Sequence, residues 1–434
     1  MMTENRINIL KIIIQSTTIG YLIGYRHGKN VFTFDKDYLQ DENRLTFSMR
    51  YVSEKTIAPL ASYHRLPQVF SNLLPEGALR DMMTQTLKSS SEFVAFASVG
   101  HKLPGGIIAT PIMLDELPNY AYGSNKNITP AQDKSLNTRD LKFSSLAGVQ
   151  LKFSAKKGAD NRYNINLSEF DDWIIKTPST RYDFVPFNEY TAMTLAKLAG
   201  VDVPEIRLVK LSDLTGLPSA IALPNEQYAY AIKRFDRLKN DIGVTRIHTE
   251  DFAQVFGQYA QDKYLKANYE KIGYVLAESV DDKLTNIKEM ANRLLINILI
   301  GNGDAHLKNW SLIYHDGIHA SLSPAYDIVS TKVYMENEKN QAFKLGKEKH
   351  WYSLSMAHFQ QWAMKISPEQ GEKVWQEVKQ SLLATMDIVR DTWPDALYDL
   401  PMDERQKDSL KAHMASLHDD FKVDLSPTFK LSPS

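Results

Sequence analysis

The sequence predicts an α+β fold of two lobes, one β-rich and one helical, with a smaller α/β subdomain ahead of them. Three observations carry this. Short apolar stretches rich in β-branched residues recur up to residue 235. Amphipathic helical periodicity dominates beyond residue 249. Between the first mixed region and the rest lies a polar stretch rich in Asn, Ser and Pro at 115–140, a linker composition. The implied units are an N-terminal α/β subdomain at 1–114, a β-rich lobe at 115–235 and a helical lobe at 236–434.

Taken in order, residues 7–15 are apolar and β-branched, and 20–25 (GYLIGY) continue them as a hairpin-like pair. A helical pattern follows Pro67 and runs through Phe70, Leu73, Leu74, Leu79 and Met82, with an interruption at Pro75-Glu-Gly. Gly105-Gly106 leads into a strand at 107–113. Residues 141–157 read as strand, loop, strand, followed by short strands at 163–167 and 173–176. A helix spans 188–198 with Gly200 as its cap, and strands are expected at 206–211 and 228–235. The remaining expectations are helices at 250–259, 284–300, 368–393 and 402–421.

Composition excludes several classes. Hydrophobic content of 43% and charged content of 24% are those of a folded globular chain. Fifty-one basic side chains face 52 acidic ones, so no whole-molecule positive field exists for gripping nucleic acid. With no cysteine, disulfides, thiolate metal sites and cysteine nucleophiles are absent. No apolar run is long enough to span a bilayer, and the start (MMTENRINILKIIIQ) reads as a strand, not a signal peptide. A cytoplasmic address is expected by elimination.

Chemistry concentrates in GNGDAHLKNWSLIY (301–314) and SPAYDIVST (323–331). Asp304, Asn309 and Asp327 follow the order and spacing of a phosphoryl-transfer site: one Asp to receive the acceptor's proton, then an Asn and a second Asp to hold magnesium. An Asp-x4-Asn pair alone arises by chance about once in a chain this long. The later Asp327, an acid inside an apolar, strand-like stretch, is costly unless paired or metal-bound, and it favours the catalytic reading over plain turn residues. Lys308 is a candidate for stabilising charge on the transferred phosphoryl group, and His306 a structural or nucleotide-contacting residue. Lys176 ends a Trp-Ile-Ile-Lys strand resembling the nucleotide-lysine strand of kinases, and reads equally as a solvated edge lysine. Glu189 is read first as a first-turn residue that complements the helix dipole, and second as the partner of Lys176. Residues 144–150 (SSLAGVQ) form a candidate phosphate loop or a plain hairpin turn, and 230–236 (YAIKRFD) a strand beside adenine or a core strand. The expected cofactors are ATP and Mg2+.

Together these segments resemble the HipA toxin kinases of bacterial type II toxin–antitoxin modules, over nearly the whole chain. The matching pieces are residues 70–77 (FSNLLPEG), Ser98-Val-Gly100 with Gly105-Gly106, 145–152 (SLAGVQLK), 188–190 with 196–200, 234–237 (RFDR) and, most specifically, 303–309 (GDAHLKN). The resemblance implies a two-lobed protein-kinase-like fold of HipA type. It makes Asp304 catalytic, Asn309 and Asp327 magnesium ligands, and Lys176 the nucleotide lysine. Leu146, Ala147, Gly148, Val149, Gln150 and Lys152 would cradle the phosphates; Lys233 and Phe235 would flank adenine, with His306 and Tyr326 lining the pocket. It also implies phosphorylation of a serine on an aminoacyl-tRNA synthetase and restraint by a HipB-like helix-turn-helix antitoxin that binds operator DNA. Autophosphorylation in the phosphate loop falls on Ser145 by alignment, with Ser144 adjacent. Phosphate there would put negative charge where ATP phosphates must sit. Two features depart from ordinary kinases: Asp-Ile-Val stands for Asp-Phe-Gly, and no Ala-Pro-Glu segment follows, so an ordinary activation loop is not expected. The N-terminal region is present, so a split form is not expected either. Rival readings are a small-molecule phosphotransferase on the same fold and a co-repressor acting through an antitoxin.

Overall fold

Period-two alternation builds the first sheet. Leu10, Ile12 and Ile14 on β1 (Ile9–Ile14) point into one core with Phe32, Phe34, Phe47, Phe70 and Phe96. The opposite face, Ile9, Tyr21 and Ile23, is covered by Leu117 and Ala121. In the computed structural model, which describes residues 8–54, 56–122, 150–165, 171–217, 223–240, 243–265 and 267–427, β1 pairs antiparallel with β2 (Thr17–Gly24). Adding β3 (Lys29–Phe34), β4 (Leu60–Tyr63) and β5 (Ile107–Pro111) gives the order β4-β3-β2-β1-β5. The break at Pro75 holds: helices run Gln68–Ser71 and Gly77–Leu87.

A second sheet has six strands in the order β10-β7-β6-β8-β11-β9. They are β6 (Lys152–Lys157), β7 (Tyr163–Asn164), β8 (Trp173–Lys176), β9 (Ile206–Lys210), β10 (Leu214–Thr215) and β11 (Tyr228–Lys233). Its core of Phe153, Ala155, Trp173, Ile175, Ala229 and Ala231 also takes Met82, from the N-terminal helix Gly77–Leu87. The helix Val185–Leu198 lies between this sheet and the helical lobe, where Met193 and Leu195 join the large core. Trp393 Nε1 donates to Leu195 O at 3.0 Å. That core is built on the helices Lys283–Ile300 and Gly371–Asp399 and on the buried tryptophans Trp310, Trp351, Trp362, Trp375 and Trp393.

The helical lobe differs from expectation at one end. A helix at 250–259 was expected; instead the chain there leaves a hairpin of β12 (Arg237–Asn240) and β13 (Gly243–Arg246) and runs as β14 (His248–Asp251) before one short turn of helix at Phe252–Val255. β14 pairs with β15 (Ser311–Tyr314), which pairs with β16 (Ser321–Leu322). Cross-strand partners far along the chain override local periodicity here.

The N-terminal subdomain docks through buried charge. Asp236 accepts from Gly105 N at 2.7 Å and pairs with Arg234 at 2.7 Å and Arg237 at 2.8 Å. Arg237 and Arg246 in turn donate to the carbonyls of Leu103 and Gly105. Gly105 has φ +66°, and a Cβ there would meet Thr249 Oγ1 at 2.8 Å, so glycine is required for this approach. Nearby, Glu250 accepts from Met49 N at 2.6 Å, Ser48 Oγ at 2.7 Å and the Tyr314 hydroxyl. Burial raises the Glu250 carboxyl to about 7, its hydrogen bonds only partly offsetting that.

Asp236→Ala leaves two buried guanidinium groups facing each other and should cost on the order of 3–5 kcal/mol, read as a shift in denaturant midpoint. For Glu250 the folded state binds its proton more tightly than the unfolded chain. The stability it contributes is full below pH 4.5 and declines, by about 3 kcal/mol, as pH climbs to about 7. Glu250→Gln should flatten the stability–pH curve across that window; an unchanged slope would show that another group carries it.

Candidate active site

The helix Lys283–Ile300 ends at Gly301 in the left-handed region (φ +69°). Asn302 then bridges back: its Nδ2 donates to Asn297 Oδ1 at 2.8 Å and its Oδ1 accepts from Asp304 N at 3.0 Å. Gly303 N donates to Thr331 Oγ1 at 2.8 Å, and a Cβ on Gly303 would fall 2.3 Å from Glu338 Oε1. The turn expected from GNGD forms with Gly301 in the left-handed region, and it leaves the Asp304 side chain 46% exposed.

Asn309 closes the turn, its Nδ2 donating to Asp304 O at 2.8 Å. Trp310 Nε1 and the Tyr269 hydroxyl both donate to Ala305 O, which pins the turn to the core. The Tyr326 hydroxyl donates to Lys308 O at 3.0 Å and lies 2.5 Å from Ser311 Oγ, so the residue before Asp327 is tied to the residue before Asn309. Phe235 packs on Tyr326 with ring centroids 5.7 Å apart. These links tie the 304–309 turn, which carries Asp304 and Asn309, to the segment that carries Asp327.

Asp327 sits in no strand. Its φ is +55°, a conformation of modest cost for Asp and one that clusters at functional sites. The strand-like reading of its segment is thus corrected. The turn aims its carboxylate at two lysines: Oδ2 accepts from Lys152 at 2.7 Å and Oδ1 from Lys176. Lys176 also pairs with Glu189, and its ammonium lies 5.4 Å from the Tyr230 ring centroid. Burial works against the Lys176 charge, but Asp327 and then Glu189 outweigh it and raise its pKa. Burial likewise opposes the Asp327 charge, and Lys152 and Lys176 hold that carboxyl far below the usual range. Glu189, wholly buried, is pushed up by burial, with Lys176 pulling against it. We take the Lys176–Asp327 pair as charged, because each partner shifts toward its ion.

The dipole role for Glu189 is also corrected. Its helix starts at Val185, which puts Glu189 beyond the first turn and inward, onto Lys176. Asn188 sets that register: its Oδ1 accepts from Ser330 N and its Nδ2 donates to Ser330 O, each at 3.0 Å, locking the helix to the Asp327 segment.

The other candidates fall in varied places. His306 is buried, 4.0 Å from Asp304 Oδ1, and burial lowers its pKa below the ordinary value. Lys308 turns away from the exposed edge: its ammonium donates to Asn72 O at 2.8 Å and Asp251 Oδ2 at 3.0 Å, with Glu76 Oε1 at 3.4 Å. Lys233, at the end of β11, is 45% exposed and 3.9 Å from Glu205. Gln150 leads into β6 and Lys152 is its first residue, whereas Ser144, Ser145, Leu146, Ala147, Gly148 and Val149 lie outside the described residues. Sequence reading missed Tyr264, whose hydroxyl donates to Asp304 Oδ1, and Glu76, which pairs with Lys263 at 3.1 Å as well as with Lys308. No spacing rule links residues so far apart. Among the described residues no cluster of three or more His, Asp or Glu is arranged to hold a metal, and no helix is long and apolar enough to cross a membrane.

Two lobes with a buried Lys–Glu–Asp contact between them define a protein-kinase-like chain. The same architecture occurs in a chain of the Shewanella oneidensis complex of the toxin–antitoxin proteins HipA and HipB with operator DNA, at a TM-score of 0.67 and 20% identity over 94% of this chain and 95% of that one. The model of the HipA-like C-terminal domain matches residues 144–386, and that of the HipA N-terminal domain residues 10–110. The chain belongs to the HipA family. It is 36% identical over 416 residues to the kinase-designated protein Y4dM of Sinorhizobium fredii, covering 94% of this chain and 97% of that protein. To the serine/threonine-protein kinase toxin HipA of Shewanella oneidensis it is 25% identical over 305 residues, 64% of this chain and 66% of that one.

Lys176→Ala removes the cation that two inward-facing carboxylates share. It should destabilise by on the order of 3–5 kcal/mol. The carboxyls would then have raised pKa values, so the loss should deepen as pH rises from 4 to 7, measured by thermal denaturation at each pH.

Proposed function

We propose that this chain is an ATP- and Mg2+-dependent protein serine/threonine kinase that acts as the toxin of a toxin–antitoxin pair. The observation that carries the reading is the ammonium of Lys176 held between Glu189 and Asp327. A binding module has no need for a buried cation poised between two acids at a lobe boundary, whereas a nucleotide triphosphate needs one. The domain units 1–114, 115–235 and 236–434 are part of the proposal.

The donor set fits the cofactors by its chemistry. Asn309 spends its Nδ2 on Asp304 O, leaving its carbonyl oxygen as a hard ligand that would act with the carboxylate of Asp327, the oxygen chemistry that Mg2+ prefers. Such an ion supplies charge neutralisation along the phosphates. Lys176 and Lys152, with Gln150 and 146–149, offer the positive charge and backbone donors that phosphates require. Phe235, Lys233, Tyr326 and His306 would border the base. Asp304 would accept the proton of an acceptor hydroxyl as its oxygen attacks the γ-phosphorus; the bond to the β–γ bridging oxygen breaks and ADP departs. For Lys308 we propose support of the turn from behind, since its ammonium is committed to Asn72 and Asp251. The substrate class is a serine on a translation protein, an aminoacyl-tRNA synthetase being the family expectation. Ser145 is the self-modification site, with Ser144 adjacent. A HipB-like antitoxin is the proposed partner, and operator DNA is reached through it.

Asp304→Asn should abolish transfer of label from γ-labelled ATP to protein, by about 10²-fold or more, while ATP still shifts the melting temperature. A labelled protein band that persists in this variant would remove Asp304 as the base. Label appearing only in small molecules would favour a small-molecule phosphotransferase.

A further inference from the structure

A base that accepts a proton from an acceptor hydroxyl must hold that hydroxyl within hydrogen-bond reach. In this chain a hydroxyl of its own already does so: Tyr264 donates to Asp304 Oδ1. We propose that Tyr264 occupies the acceptor's seat at Asp304 Oδ1, so that only a protein segment able to displace the phenol from that oxygen is phosphorylated. The inference rests on the kinase reading above.

Tyr264 is held lightly. Its ring meets His306 edge to face with centroids 5.0 Å apart, yet it remains 46% exposed and belongs to no core cluster. The backbone beside it is steadier. Lys263 pairs with Glu76 of the N-terminal subdomain at 3.1 Å, and Lys263 O accepts from Leu307 N at 3.3 Å. The loop is thus fixed, while the phenol can swing out at the loss of its edge contact with His306 and of no core contact. Burial first, and then the Asp304 carboxylate, raise the pKa of the phenol, so it stays protonated and remains a donor. A kinase with bound ATP and an open base wastes ATP on water, the smallest acceptor. An internal hydroxyl that fills the base's hydrogen bond suppresses this until a better-anchored acceptor arrives. The selectivity is for protein segments with enough contact to displace a weakly packed ring, not for free hydroxyls.

The test is ADP release by the purified full chain with ATP and Mg2+ and no added protein acceptor. Tyr264→Phe keeps the ring on His306 and deletes only the donor; Tyr264→Ala opens the seat altogether. The proposal expects a several-fold rise in ADP release in the Phe variant and a larger one in the Ala variant. KM for ATP should not change, and the rise should vanish when Asp304→Asn is added. Unchanged or lower ADP release with ATP binding intact would overturn it, making Tyr264 a mere support of the base. Phosphate found on Tyr264 in the wild-type chain would also overturn it, since the phenol would then be an acceptor and not a guard. Failure of the wild-type chain to bind ATP with Mg2+ would instead fell the kinase reading itself, and thermal shift with ATP separates that case.

Discussion

The contact between the lobes turns on one ammonium group. Lys176 closes a strand of the second sheet, Glu189 comes from the helix that packs beneath it, and Asp327 comes from a left-handed turn in the helical lobe. Three segments, the third 151 residues beyond the first, meet on a single buried charge. Burying that charge is costly by itself, and only the two acids make it tolerable, so the position of each segment depends on the other two. The reciprocal Asn188–Ser330 bonds add a neutral, directional lock beside the charged one.

The N-terminal subdomain is part of the same machine. Asn72 and Glu76 reach Lys308 from the far side of the 304–309 turn, while Glu76 also holds the loop that carries Tyr264. Burial opposes the charge on Glu76, but Lys308 and Lys263 hold its carboxyl below the usual range. Met82 fills the core of the second sheet, and Asp236 ties Gly105 to two arginines. The subdomain therefore braces the turn that carries Asp304 from behind and packs against the second sheet through Met82. Support of this kind lets an exposed carboxylate keep one orientation while the groups in front of it remain free to exchange partners.

Much of this was legible from local pattern. The break at Pro75, the strand Trp173–Lys176, the helix ending at Gly301 and the glycine turn before Asp304 each follow from propensity, periodicity or steric demand over a few residues. The Asp304–Asn309 spacing is equally local, because one short turn joins both residues. Where pattern misled, partners distant in sequence decided. β14 replaced an expected helix because β15 pairs with it from sixty residues downstream. For Glu189 the second of its two readings holds, the pairing with Lys176, and the dipole reading falls because its helix begins earlier, at Val185.

By itself the order of residues determined which chemical groups exist, in what sequence they come, and where the chain must turn. A carboxylate after a glycine turn, an amide five positions on and a second acid beyond them are statements about covalent spacing. Only the tertiary structure decided what each charge faces: Lys308 toward Asn72 and Asp251 behind the turn, Asp327 toward Lys152 and Lys176, Asp304 toward a tyrosine forty residues away. The reason is physical. Coulomb and hydrogen-bond energies depend on separation in space and on burial, and neither quantity exists until the distant segments have packed.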